Sequence, residues 1–248
     1  MSAVLREADG TPHDALVRRL DAIDWQNVHD DLNAHGYAVI PKLLDATQCA
    51  SAIALYDEAA LFRSRIVMAR HGYGRGEYQY FAYPLPDLVA TLRTGVYPHL
   101  APLANRWSQA MKIDVQYPAT HADFVQRCHS AGQKRPTPLL LRYGADDYNC
   151  LHQDLYGEHA FPLQLAVLLS KPEEDFTGGE FVLTEQRPRM QSVAEVVPLQ
   201  QGDAIVFAVH HRPVNGSRGV YRVNLRHGVS RLRSGHRHTL GVIFHDAT

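Results

Sequence analysis

The chain is short of the residues that define several protein classes. Of its 248 residues only three are cysteine: Cys49, Cys128 and Cys150. An odd number at wide spacing makes neither a zinc pair nor a disulfide framework, which fits a reducing compartment. No apolar run approaches the roughly 20 residues needed to span a bilayer. Residues 1–10 carry charges and no apolar stretch, so no signal peptide is expected. The expected location is cytoplasmic, with no membrane partner. Neither sign of charge dominates: 25 Lys and Arg stand against 26 Asp and Glu, a net charge of -1. Overall charge therefore announces no nucleic-acid partner. The charged fraction, 21%, is too low and too mixed in sign for a disordered chain, and 45% hydrophobic residues can bury a sizeable core.

The first half reads mainly as helix. Leu16, Leu20, Ile23, Val28 and Leu32 recur at helical spacing over residues 15–34, and Gly36 stops the run. Tyr37-Ala-Val-Ile40 is a short strand ended by Pro41. Asp45-Ala-Thr-Gln48 is a capped start for a helix over 49–62. Residues 72–83, rich in aromatics and glycine, predict a long loop or hairpin. Residues 87–112 predict a helix interrupted near Gly95 and Pro98. The second half changes character. Apolar runs at 139–141, 163–169, 180–184, 194–198, 204–208, 221–229 and 239–244 are separated by Gly, Pro or Asp clusters. Short strands with turn signals at such intervals predict a β-sandwich or barrel. The expected class is α+β, a helical N-terminal layer packed on a β-barrel or jelly roll. One domain is expected over 1–248: an extension (1–25), helical support and substrate lid (26–135), and core (136–248).

Fifteen histidines are many for this length, and metal-ligand spacing selects among them. In Leu151-His-Gln-Asp154, His152 and Asp154 are two apart and share a face if they lie on a strand. A second histidine from a distant strand would complete a set of two imidazoles and one carboxylate, which suits non-haem Fe(II). By strand alternation His227 shares a face with Tyr221, Val223, Leu225 and Val229, opposite Arg222, Asn224 and Arg226. Read alone, His227 is also compatible with an ordinary core histidine. Ten residues on, Arg237 and Thr239 face away from Leu240, Val242 and Phe244. A buried arginine needs an anion, either a ligand or an internal carboxylate.

Taken in order, His152-x-Asp154, His227, Arg237 and Thr239 resemble the double-stranded β-helix 2-oxoglutarate oxygenases. Thr177-Gly-Gly-Glu-Phe181, Gly202-Asp-Ala-Ile-Val-Phe207, Ser234-Gly-His-Arg-His-Thr-Leu240 and Leu32-Asn-Ala-His-Gly-Tyr-Ala-Val-Ile40 resemble further segments of that family, over roughly residues 26–246. The resemblance implies a jelly-roll core. It also implies Fe(II) on His152, Asp154 and His227, with 2-oxoglutarate as cosubstrate held by Arg237 and Thr239. Oxygen from O2 would hydroxylate a substrate C–H bond as succinate and CO2 are released. Leu141-Arg-Tyr-Gly144 followed by Leu151-His-Gln-Asp154 resembles the AlkB-like nucleic-acid dioxygenases, which implies a 2-oxoglutarate contact for Tyr143. Arg222-Val-Asn-Leu-Arg226 echoes another motif of that family, but there the motif follows the distal histidine. That register would make His210 or His211 the ligand and Arg222 or Arg226 the cosubstrate anchor. Glycine placement, spacing and strand parity favour His227 with Arg237.

The substrate is read from charge placement. Residues 204–245 contain no acid and no lysine but seven arginines: Arg212, Arg218, Arg222, Arg226, Arg231, Arg233 and Arg237. Arg63, Arg65, Arg70 and Arg75 add charge earlier. Arginine suits phosphate and stacked-base contacts, and Tyr73, Tyr78, Tyr80, Phe81 and Tyr83 offer rings. Pairing of the arginines with acids elsewhere and ordinary core packing of the rings are the plainer readings. The candidate substrate contacts are Arg70, Tyr73, Arg212, Arg218, Arg222 and Arg226, with Arg212 and Arg218 expected in a loop across the barrel mouth. An anionic substrate, DNA or RNA, oxidised or demethylated at a base, is the first expectation. Hydroxylation of a protein side chain, amino acid or other small molecule is the alternative, and a catalytically silent binding barrel is the third.

Overall fold

The computed structural model describes residues 12–155, 157–217 and 219–248. Among them the helices are α1 (Pro12–Asp21), α2 (Trp25–His35), α3 (Ala46–Ala54), α4 (Asp87–Ala110) and α5 (His121–Ser130). Four strands lie in the first half: β1 (Tyr37–Ile40), β2 (Phe62–Val67), β3 (Gly74–Arg75) and β4 (Glu77–Phe81). Then come β5 (Leu139–Tyr143), β6 (Tyr148–His152), β7 (Leu163–Leu168), β8 (Phe176–Gly178), β9 (Phe181–Gln186) and β10 (Ser192–Val197). The last are β11 (Ala204–Ala208), β12 (His211–Gly216), β13 (Gly219–Val229), β14 (Leu232–Gly235) and β15 (Arg237–Val242). The reading of residues 1–10 as lacking a leader, and that of Arg218, fall outside the described residues.

A seven-stranded major sheet runs β1-β11-β7-β15-β5-β4-β2. It faces a minor sheet ordered β10-β9-β13-β6-β3, with β12 paired to β13. This is a jelly-roll core with helices on one side. Strand β7, Leu-Gln-Leu-Ala-Val-Leu, shows why the layers form. All six residues are buried because both faces are covered. Leu163, Leu165 and Val167 pack in the cluster shared with the helices, whereas Ala166 and Leu168 pack between the sheets. There Phe181 of β9 meets Phe207 of β11 at 5.1 Å between ring centroids.

Local physics explains where the helices differ from expectation. The run over 15–34 is two helices, because the Asp24 side chain accepts from Asn27 N and starts α2 afresh. Asp45 and Gln48 form the expected capping box, but α3 ends at Ala54 and gives way to two short 3-10 turns before β2. Helix α4 is unbroken despite Pro98 and Pro102. A proline inside a helix costs ~3 kcal/mol. The stripe Val89, Leu92, Val96, Leu100, Leu103 and Trp107 is buried at helical spacing and offsets that cost. Gly95 is no breaker. A Cβ there would lie 2.8 Å from Leu20 Cδ1, so glycine lets α1 pack on α4. Residues 72–83 are largely strand, since β4 pairs with both β2 and β5. Helix α5 was not expected, although Thr120 caps it through Asp123 N.

Candidate active site

Strand β13 lies between β9 and β6, and pairing puts His227 directly opposite His152. Gly228 makes that approach possible, since a Cβ there would lie 2.7 Å from Asn149 O. Asp154 lies just past the end of β6, not on it. It still converges: His152 Nε2 is 3.4 Å from Asp154 Oδ1, and His227 Nε2 is 3.4 Å from Asp154 Oδ2. One ligand atom from each of the three lies within 4.8 Å of the others.

The electrostatics suit a divalent cation. Burial opposes ionisation of Asp154, but hydrogen bonds with His152 and His227 hold its carboxyl well below the usual range. Burial lowers the His227 pKa and keeps the ring neutral, the form that ligates. Burial acts against His152 too, yet its bond to Asp154 raises it. His152 Nδ1 lies 2.8 Å from the Cys150 carbonyl, an acceptor for an Nδ1 proton, so a metal can take the place of the proton on Nε2. Two imidazoles and one carboxylate fit Fe(II).

The three groups wall a cavity of about 480 Å³ between the sheets. Arg237 and Thr239 line it from β15, and Tyr143 lines it from the paired position on β5. Arg237 is 2% exposed. Its NH1 donates to Thr239 Oγ1 at 2.6 Å, and its Nε has no partner among the described residues. Among the described residues it forms no ion pair with a carboxylate. The guanidinium carbon sits 5.8 Å from the Tyr143 ring centroid and 5.9 Å from that of Phe176. Burial pulls its pKa down to about 10, still charged at neutral pH, and burial pushes the Tyr143 phenol up. A buried cation without a counter-ion fits a carboxylate ligand such as the far end of 2-oxoglutarate.

Other expected residues scatter. His210 and His211 lie against each other with ring centroids 3.5 Å apart and planes tilted by 33°, and His211 is carried on β12 rather than into the triad. Tyr73 is 50% exposed at the cavity mouth, stacked on His71 at 5.3 Å, and the exposed Arg70 adjoins them. Arg222 and Arg226 lie on the exposed face of β13, and Arg222 donates to Met111 O. Arg212 overturns its assignment. It is a strand residue, 4% exposed. It donates to Asn33 O at 2.7 Å, Ala34 O at 3.0 Å and Glu185 Oε2 at 2.5 Å. Several other arginines are paired as well: Arg65 and Arg142 with Glu77, and Arg231 with Asp146. Arg212→Ala should leave the Asn33 and Ala34 carbonyls without their donor and Glu185 with Arg187 alone, and cost about 1–3 kcal/mol of stability in urea unfolding. An unchanged midpoint with weakened substrate binding would restore the substrate role.

Gln164 was missed. It lines the cavity, is 4% exposed, and its Nε2 has no partner among the described residues. The signal was one glutamine inside an otherwise apolar strand. Among the described residues no helix is long and apolar enough to cross a membrane.

A family model described as an oxygenase catalysing oxidative methylation of damaged DNA matches residues 76–247. Rv2227 and MT2286, uncharacterised proteins of two Mycobacterium tuberculosis strains, are each 48% identical over 167 residues, 67% of this chain and 72% of theirs. The fold is similar to an oxidoreductase of the 2OG-Fe(II) oxygenase family from Burkholderia pseudomallei. The TM-score is 0.55 at 16% identity, over 92% of this chain and 94% of that one. A Pseudomonas putida prolyl-4-hydroxylase gives 0.52 at 15% identity, over 90% and 99%. The Oxygenase-NA match spans most of the chain, and the triad and unneutralised arginine suit the same chemistry: the chain belongs to this family of oxidoreductases, which use Fe(II), 2-oxoglutarate and O2.

Proposed function

We propose that the chain oxidises a damaged nucleic-acid base, with His152, Asp154 and His227 holding Fe(II) and Arg237, Thr239 and Tyr143 holding 2-oxoglutarate. The observation that carries this reading is one cavity that presents three metal donors on one wall and, on another, a buried guanidinium with no carboxylate partner among the described residues. Held by His152, Asp154 and His227, Fe(II) with 2-oxoglutarate and O2 would supply the oxidation of a substrate C–H bond, with succinate and CO2 as the coproducts. The chain's own residues position and exclude. Arg237 and Thr239 orient the cosubstrate by its far carboxylate. Phe207 and Phe181 pack against the His227 ring at 4.5 and 6.1 Å and keep water from that side.

Three features support a base as substrate. The family description names damaged DNA. The His71–Tyr73 stack and the edge-on Tyr78–Tyr80 pair offer rings for an extruded base. The unpaired Gln164 amide suits a polar base edge. Phosphate contacts fall to Arg70, Arg222 and Arg226, since Arg212 is spent internally. In this reading the chain is one domain, the segment around residues 68–73 is the substrate lid, and the three unpaired cysteines fit the cytoplasm.

The test is turnover on methylated single-stranded oligonucleotides, proline peptides and free amino acids, with succinate and product mass read together. The expected result is stoichiometric succinate with loss of a methyl group from the oligonucleotide. Binding should weaken steeply with salt, as phosphate contacts require. Product from the peptide or amino acid alone would promote the side-chain or small-molecule reading.

A further inference from the structure

The two ligands contributed by the His152-x-Asp154 segment are not held alike. His152 is the last residue of β6 and sits in the ladder opposite His227. Asp154 lies beyond that ladder, where no strand pairing fixes it. Between them, Gln153 Nε2 donates to Asn224 Oδ1 at 2.7 Å and to Leu225 O at 2.6 Å. Both acceptors are on β13, the strand that carries His227. The side chain thus continues the β6–β13 connection one step past the point where the backbone lets go. Its orientation is dictated chemically: two oxygens face one atom, and only the NH2 end has two hydrogens to give.

We propose that Gln153 is a positioning residue that fixes Asp154 relative to His227 and so sets the metal affinity of the site. This rests on the reading of His152, Asp154 and His227 as ligands. The effect passes through geometry. Without the tie, the backbone that carries Asp154 gains freedom beyond what its side-chain contacts remove, and the entropy of losing that freedom is drawn from the metal's binding energy. Outer partners that orient ligands typically contribute about 10- to 100-fold in affinity.

The probe is Mn(II), titrated into the metal-free protein with 2-oxoglutarate present and followed by the electron paramagnetic resonance of free Mn(II). Gln153→Met should weaken binding by about 10- to 100-fold, with the thermal midpoint of the metal-free protein lowered no further than two lost hydrogen bonds require. Asn224→Leu, which leaves the Leu225 carbonyl in place, should lose less. Asn224→Asp keeps the acceptor and should keep the affinity. Combining Gln153→Met with Asn224→Leu should cost no more than Gln153→Met alone, as coupled partners require. At saturating Fe(II) the kcat of Gln153→Met should return towards the wild-type value, which a disordered site would not permit. Mn(II) affinity within twofold of wild type in Gln153→Met overturns the proposal. His227→Ala binding Mn(II) as tightly as wild type would instead overturn the ligand assignment beneath it.

Discussion

Succinate formation is expected to fall to background in His152→Ala, Asp154→Ala and His227→Ala, while His211→Ala retains it. Each of the first three removes one of the three donors that, among the described residues, meet within 4.8 Å. Deleting an outer partner of a metal ligand already costs about 10- to 100-fold, so deleting a ligand should cost more. Asp154→Asn is the sharpest member of the series. It preserves volume but removes the negative charge that both imidazoles face at 3.4 Å. A folded Asp154→Asn protein that no longer binds Mn(II) would separate loss of metal from loss of structure. His211 is the control because its ring packs against His210 and is not among the three donors that meet. Loss of turnover in His211→Ala with retention in His227→Ala would mean that the metal uses the other register.

Arg237→Met should have two effects of opposite sign. The apparent affinity for 2-oxoglutarate should fall by about 30-fold or more, because a buried charge partner is worth roughly 2–5 kcal/mol when its mate remains. The ligand-free protein should become more thermally stable, because a buried guanidinium without a carboxylate partner is replaced by an apolar chain of similar length. A purely structural arginine would give the reverse: destabilisation with cosubstrate affinity unchanged. Arg237→Lys should lie between, since lysine keeps the charge but loses the planar fork. The midpoint rise on adding 2-oxoglutarate reads this directly, since a ligand that binds only the folded state stabilises it.

Much of the fold was legible because the second half writes its strands locally. Turn clusters bound each apolar run, and alternation over residues 221–229 placed His227 with Val223 and Leu225 on the buried face. The helical half was less legible for a tertiary reason. Pro98 and Pro102 argue locally for a break, yet α4 runs through them because its buried stripe is long enough to offset the lost bonds. In the site, Asp154 converges with the histidines although it leaves the strand, so strand parity was not the reason. The reason is the cross-strand tie through Gln153, which no spacing reveals. Arg212 failed for a similar cause. Its carboxylate partner is 27 residues away and one of its carbonyl partners is 179 away in sequence. An arginine count therefore could not tell a phosphate contact from an internal ion pair.

The central claim is that one cavity holds the metal at His152, Asp154 and His227 and the cosubstrate's far carboxylate at Arg237. The most direct test is a crystal structure with Mn(II) and 2-oxoglutarate, the metal located by its anomalous scattering. The account predicts one strong peak in contact with Nε2 of His152, Nε2 of His227 and the Asp154 carboxylate, and a carboxylate of the cosubstrate paired with Arg237. A peak at His210 or His211, or a cosubstrate carboxylate on Arg222 or Arg226, would contradict it.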